Sequence, residues 1–487
     1  MTLLERLGGR AEITRGIVAE FRRLSRHPHA SWHEAATARD VAERLLELGV
    51  RPVLDEAGNM MAEVPPSPGR EGAPLLLVQG HLDMVCAVSP GSGFDPLTDP
   101  VCIRDMDALL RSDGRSSLGA DNMLGNAAVL WLLSGRKIAH GPLRLIFTVA
   151  EELGLEGAKR VNPGWLSGGA YLLNTDGFHL GRAIVGAAGG RRETYTRPLN
   201  PVPAPAGTAW RISLTGGAGG HSGYDIHLGR INAVKALGEL LALLRERTGC
   251  ALAAWEAGTA HNAIPAQGSL LVVCPPETEG VLRPTAEAWF ARCRAAHAQT
   301  DPNLDLTIAP APRPGRVWTA ECRDGALALV NGLWNGVAAM HPEFSGVVGD
   351  SANVGKIGLE EGQLQVCAFL RCRDAEREAA LAARQEAAAR AAGFAWSVSG
   401  YPAWPGAPDN PLALLLERVY REQTGRTLEI SAVHVGLEPS IFQSKEPGLV
   451  MVSTGPEILD AHSVDERAPL HALPDYALLL AGFWEAL

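Results

Sequence analysis

Four apolar runs in this 487-residue chain end in side chains of the kinds that bind metal ions: LLLVQG before His81, LRLIFTVA before Glu151 and Glu152, YLLNT before Asp176, and LVMVSTGPEILDA before His462. Strands of an open α/β sheet deliver their carboxyl ends to one crevice, so residues far apart in sequence can meet there. In HLDMV, Asp83 follows His81 by two positions on the same strand edge, where it can hold one imidazole N–H while the other ring nitrogen meets a metal. Asp121, in LGADNMLGNAAVLWLL, stands just ahead of an apolar helix. An aspartate there ordinarily caps the helix. Beside a strand edge and after Gly119 it can instead offer its two oxygens to two cations, and we read it as that bridge. Glu151 and Glu152 are adjacent carboxylates after a buried strand and would repel one another. Giving Glu152 to a metal resolves the conflict and leaves Glu151 as general base for an attacking water. The donors His81, Asp121, Glu152, Asp176 and His462 are two imidazoles and three carboxylates, a set that suits zinc, manganese or cobalt better than calcium or copper.

The elements that must position these residues follow from periodicity. Up to about residue 190, helix-like stretches such as ATARDVAERLLELG alternate with the runs LLLVQG, LRLIFTVA and AYLLNTD. This βα alternation implies a doubly wound, mostly parallel sheet covered by helices. From about Glu193 the pattern changes. A Pro-rich connector, PLNPVPAPAG, leads to an alternating strand over 210–215, a helix with Val234, Leu237, Leu241 and Leu244 on one face, two strands, a helix over 284–298 and the strand LDLTIA. That order is βαββαβ, and it recurs as GRVW, a helix over 325–340, GVVGDSANVG, LQVCAFLRC, a helix over 375–392 and FAWSVSG. Beyond Pro405 the first pattern resumes. The expected organisation is α/β: a catalytic domain in two parts, residues 1–190 and 405–487, interrupted by an inserted α+β lid domain over 191–404 made of two βαββαβ halves.

Composition narrows the function. The net charge of −10 argues against nucleic acid or an anionic membrane as partner and favours a small substrate. Eight cysteines stand singly, without CxxC spacing or a disulfide framework. The start, MTLLERLGGRAE, has no basic segment followed by an apolar one, and no long uncharged apolar run appears later. The expected location is cytoplasmic.

Eight motifs in order, HLDMV, LGADNMLGNA, AEELGLEGA, LLNTDG, GGAGGHSGYDIHLGRINAVKAL, HNAIP, AVHVGLEPS and GPEILDAHSVDE, resemble the aminoacyl-histidine dipeptidases (peptidase D). These are similar to the wider co-catalytic zinc peptidases that include carnosinase-like dipeptidases and carboxypeptidase G. The resemblance implies two divalent metal ions, zinc foremost, with His81 and Asp176 on one, Glu152 and His462 on the other, and Asp121 bridging. It implies Glu151 as base and a lid residue, His221, at the oxyanion. Asn262 in HNAIP would contact substrate, Arg371 would grip a substrate carboxylate, and Glu438 in HVGLEPS would meet a free α-amine. The implied activity is hydrolysis of unblocked dipeptides. The alternatives are an N-acyl or N-carbamoyl amino acid as substrate of the same site, and a metal-holding protein without catalysis. A homodimer is left open. The chain departs from the family pattern at Met123, Leu124, His261, Pro439 and Ser440, none of them a metal ligand.

Overall fold

The computed structural model describes residues 1–135 and 138–487. They form two compact units, Met1–Ala187 with Trp404–Leu487, and Ala188–Ala403. Among the described residues no helix is long and apolar enough to cross a membrane.

After a helical turn at Leu3–Arg6 the first unit has helices α1 (Arg10–Leu24) and α2 (Ala35–Glu47), then strands β1 (Pro52–Leu54), β2 (Met60–Val64) and β3 (Leu76–His81). Helix α3 (Ala120–Leu133) follows, with strands β4 (Leu143–Thr148), β5 (Tyr171–Asn174) and β6 (Arg182–Ala187). Every residue of β3 is buried, which is why it reads as an unbroken run rather than an alternation. Helix α3 is apolar on all sides and buried from Ala120 to Leu132, packed against β3 and α1.

The second unit starts with β7 (Gly189–Pro198), β8 (Thr208–Thr215), α4 (Ala233–Thr248), β9 (Ala251–Ala257), β10 (Gly268–Cys274), α5 (Glu279–Ala296) and β11 (Asp305–Ala311). It continues with α6 (Ala320–Gly332), β12 (Gly336–Met340), β13 (Val348–Glu360), β14 (Gln363–Cys372), α7 (Ala375–Ala392) and β15 (Ala395–Tyr401). Nine strands form one antiparallel sheet in the order β11-β8-β10-β9-β13-β14-β7-β15, with β12 also on β13. Read outward from the β9–β13 junction, each half has the same order of strands, so the expected doubling is present. Leu237, Leu241 and Trp255 pack with Val330, Val354 and Val366 in a core shared by both halves.

Three expectations need correction. The helix placed over 284–298 runs from Glu279 to Ala296, with Pro284 inside it rather than at its start. The helix placed over 325–340 runs from Ala320 to Gly332, because Thr319 accepts from Cys322 N at 3.1 Å and starts it earlier, and Leu333 turns to extended backbone. Residues 336–340 are then a strand beside β13. GRVW does not open the second half either. Arg316 and Val317 pair with Pro203 and Val202 in a separate ribbon, while β7, which precedes the whole first half, fills that place between β14 and β15.

The chain then returns to the first unit with α8 (Pro411–Thr424), β16 (Glu429–Val433), α9 (Pro439–Lys445), β17 (Val450–Ser453) and α10 (Leu473–Ala486). The completed sheet has the order β1-β2-β4-β3-β5-β17-β6-β16. Strands β4, β3, β5 and β17 are parallel. From β3 the chain crosses to β4 on one side and then to β5 on the other, and such a reversal opens a crevice at the carboxyl ends of the strands.

Candidate metal centre

The crevice at the end of β3 is lined by residues that stand just past the strands. His81 ends β3, Glu151 and Glu152 follow β4, Asp176 follows β5, and His462 lies in the loop after β17. Asp121 lies in the first turn of α3, with extended rather than helical ψ at 114°. Gly119 before it has φ 72°, and a Cβ there would lie 2.8 Å from Met84 Sδ, so the turn needs glycine both for its conformation and for its space.

The five expected donors come together. His81 Nε2 lies 3.1 Å from Asp121 Oδ1 and 3.7 Å from Asp176 Oδ1. His462 Nε2 lies 2.8 Å from Asp121 Oδ2 and 3.0 Å from Glu152 Oε1. The donor atoms of His81, Asp121 and Asp176 fall within 4.8 Å of one another, as do those of Asp121, Glu152 and His462. Asp121 belongs to both groups and turns one oxygen to each. Glu151 joins a third such group with His81 and Glu152.

Charge supports cations here. Asp83, Asp121, Glu151, Asp176 and Glu438 are buried, Glu152 is nearly so, and the imidazoles set against these carboxylates are His81 and His462. So many buried acids need positive charge, from protons or metals. Burial, then the Glu152 charge, raises the Glu151 pKa well above the ordinary carboxylate range. Burial and Asp121 do the same to Asp176 and, less strongly, to Glu152. Burial works against protonation of His462, but Asp121 and Glu152 outweigh it and push the ring up to about 11. His81 is likewise raised, against its burial, by Asp121, Asp176 and Asp83. Without a metal the site therefore holds protons where cations would sit, and the donor set fits divalent ions.

Asp83 has more work than the spacing suggested. His81 Nδ1 pairs with the Asp83 carbonyl at 3.0 Å, and the carboxylate lies 3.4 Å from the same nitrogen. That carboxylate also accepts from Glu151 N at 2.9 Å, Glu152 N at 3.1 Å and Ser31 Oγ at 2.7 Å, so it fixes the backbone that carries both glutamates.

Beneath the donors the strand ends are laced by polar side chains that sequence reasoning missed. Asn174 Nδ2 donates to Gln79 Oε1 at 2.7 Å, and Ser453 Oγ donates to Asn174 Oδ1 at 2.5 Å. Gln79 Nε2 and Thr148 Oγ1, the latter at 2.8 Å, donate to Glu438 Oε2. Glu438 is fully buried, its Oε1 has no hydrogen-bond partner, and burial pushes it up to about 7. A polar residue in each apolar strand run was the available signal. Glu466 was also missed. It is an acid four residues past His462 in HSVDE, and it accepts backbone N–H groups around Asp121.

The remaining expected residues lie in the second unit. His221 Nδ1 accepts from Gly223 N and Tyr224 N, each at 3.3 Å. Arg371 Nη2 lies 3.3 Å from His221 Nε2, so an N–H donor faces each ring nitrogen. Arg371 is 3 % exposed, donates to Tyr401 Oη at 3.2 Å and stacks on Phe369. None of the ion pairs among the described residues includes it. The Asn262 carbonyl accepts from Ser222 N at 2.8 Å, which sets Asn262 beside the His221 turn.

Known proteins resemble this chain over most of their length. The chain is 29 % identical over 462 residues to the cytosol non-specific dipeptidase of Escherichia coli (strain K12), covering 94 % of this chain and 95 % of that one. It superposes on an aminoacylhistidine dipeptidase from Vibrio alginolyticus with a TM-score of 0.83 and 29 % identity, over 97 % of this chain and 96 % of the other. The aminopeptidase PepT of Bacillus cereus shares the fold at a TM-score of 0.56 and 17 % identity, over 97 % and 98 % of the two chains. The sequence profile of peptidase family M20/M25/M40 matches residues 77–486, a span that takes in every donor in the crevice. A match of that extent settles the relationship: the chain belongs to peptidase family M20/M25/M40.

Proposed function

We propose that this chain is a cytoplasmic dipeptidase that hydrolyses unblocked dipeptides, aminoacyl-histidine or similar, at a two-metal centre. The observation that carries the reading is the sharing of Asp121 between two imidazoles, with one carboxylate, Glu151, beside the donors. His81 and Asp176 would hold one ion, Glu152 and His462 the other, and Asp121 both. Zinc is the first choice for this donor set, with manganese or cobalt compatible. Bound there, the ions supply Lewis-acid polarisation of the scissile carbonyl and acidify the attacking water. Glu151 takes the proton of that water and returns it to the leaving nitrogen.

Of the remaining expected residues, His221 would donate to the oxygen that gains charge, Arg371 would pair with the substrate's terminal carboxylate, and Asn262 would orient the peptide. Glu438 supports a free amine terminus over an N-acyl or N-carbamoyl substrate, since Gln79 and Thr148 occupy one of its oxygens and leave the other for a single buried cation. The experiment is a panel of free and N-acetylated dipeptides assayed with metal-stripped and metal-restored protein. The reading expects turnover of free dipeptides only when metal is restored. It falls if N-acetylated substrates are preferred or if restored protein cleaves nothing.

A further inference from the structure

Glu466 has no part in the reaction drawn above, yet both of its oxygens are fully used. It is 3 % exposed, and Oε2 accepts from Leu118 N at 2.9 Å and Gly119 N at 3.0 Å. Oε1 accepts from Ala120 N at 2.8 Å and Asp121 N at 3.3 Å. These four consecutive amides lead into and open α3, where N–H groups have no partner within the helix. A carboxylate set across them is favoured both by charge-assisted hydrogen bonding and by the helix dipole. All four contacts are donated to Glu466, so the geometry accommodates its ionised form.

The placement joins two ligands. Glu466 lies four residues after His462 in the same loop, where its own N–H donates to Ser463 O at 3.2 Å. His462 has φ 63°, in the left-handed region that a histidine seldom adopts. Asp121 has extended ψ within a helical turn. The His462 conformation is not set by local preference, so something must hold it, and Glu466 sits in its loop while bonding the amide of Asp121.

We propose that Glu466 is a positioning residue for the metal centre: by clamping residues 118–121 it fixes the direction of Asp121 relative to His462, and so sets the spacing of the two ion sites. The proposal rests on the two-metal reading above. In Glu466→Gln the side chain keeps its shape, but its NH2 group faces amides that need an acceptor, so the helix start must shift.

The test uses the full chain loaded with Co2+, whose visible absorption reports coordination geometry. In Glu466→Gln the expected results are a changed spectrum, Co2+ held roughly 10- to 100-fold more weakly, the size typical of lost outer partners, and a lower kcat with little change in KM. Should that variant fail to fold, Glu466→Asp, which keeps the charge but shortens the reach, is read in the same way. An unchanged spectrum and affinity in a folded variant overturns the proposal, even if thermal stability falls. If the unmodified protein binds no Co2+, the two-metal reading fails and this proposal falls with it, and the two failures are thus distinguishable.

Discussion

Replacing Glu151 with glutamine separates catalysis from stability, because the two should move in opposite directions. The amide matches the carboxylate in shape and leaves His81, Asp121, Glu152, Asp176 and His462 untouched, so metal content should persist. What disappears is a base, and loss of general-base catalysis costs about 10²- to 10⁴-fold in rate, or about 3 to 5 kcal/mol of transition-state stabilisation. Stability is expected to rise. The Glu151 pKa lies above its unfolded value through burial and the Glu152 charge, so metal-free protein loses stability as pH rises through the folded pKa. Glutamine has no such transition, and at pH 8 the metal-free variant should unfold at a higher temperature than its parent. The assay is initial rates on a free dipeptide, with metal content by elemental analysis and Tm in chelator. Turnover within tenfold of the parent at full metal content would refute the assignment of Glu151 as base.

Metal binding should strengthen with pH. The raised pKa values of His81, His462, Glu151 and Asp176 mean that ions displace protons, and the same groups make the metal-free protein less stable as pH climbs from 5 to 8. The Tm gain from added zinc should then be larger at pH 8 than at pH 5.5, and a gain independent of pH counts against the site. Gly80→Ala should cost about 1 to 3 kcal/mol by overpacking and release metal, since a Cβ there would lie 2.2 Å from Asn122 Oδ1 and 2.3 Å from Asn126 Oδ1. Those two asparagines bond the backbone of His81, and urea unfolding with a metal assay checks both effects. Arg371→Lys should raise KM for dipeptides roughly tenfold, because an ammonium cannot match two carboxylate oxygens. Equal effects on free dipeptides and their C-terminal amides would disprove that role.

The ligand-bearing strands were legible because burial on both faces writes an unbroken apolar run, and an acid or histidine at its end stands out. Strands β3, β4 and β17 are of this kind. The doubled order of the second unit was legible from alternation of periods, but its pairing was not. Nothing local in Gly189–Pro198 says that it will lie between β14 and β15, and GRVW has the texture of a strand without the partner. The start of α6 was missed because Thr319 caps a segment whose first turn is polar. In the site, Asp83 was recognised by its spacing from His81, while its bonds to the Glu151 and Glu152 amides depend on tertiary approach and leave no mark in HLDMV. Glu466 was hidden for the same reason, since its partners lie some 345 residues upstream.

The polar lacing under the donors links Gln79, Thr148 and Asn174, which precede the second unit, to Glu438 and Ser453, which follow it. Strands on both sides of the second unit thus have to meet before His462 can face Asp121 and Glu152, so the centre depends on contacts between residues more than 300 positions apart.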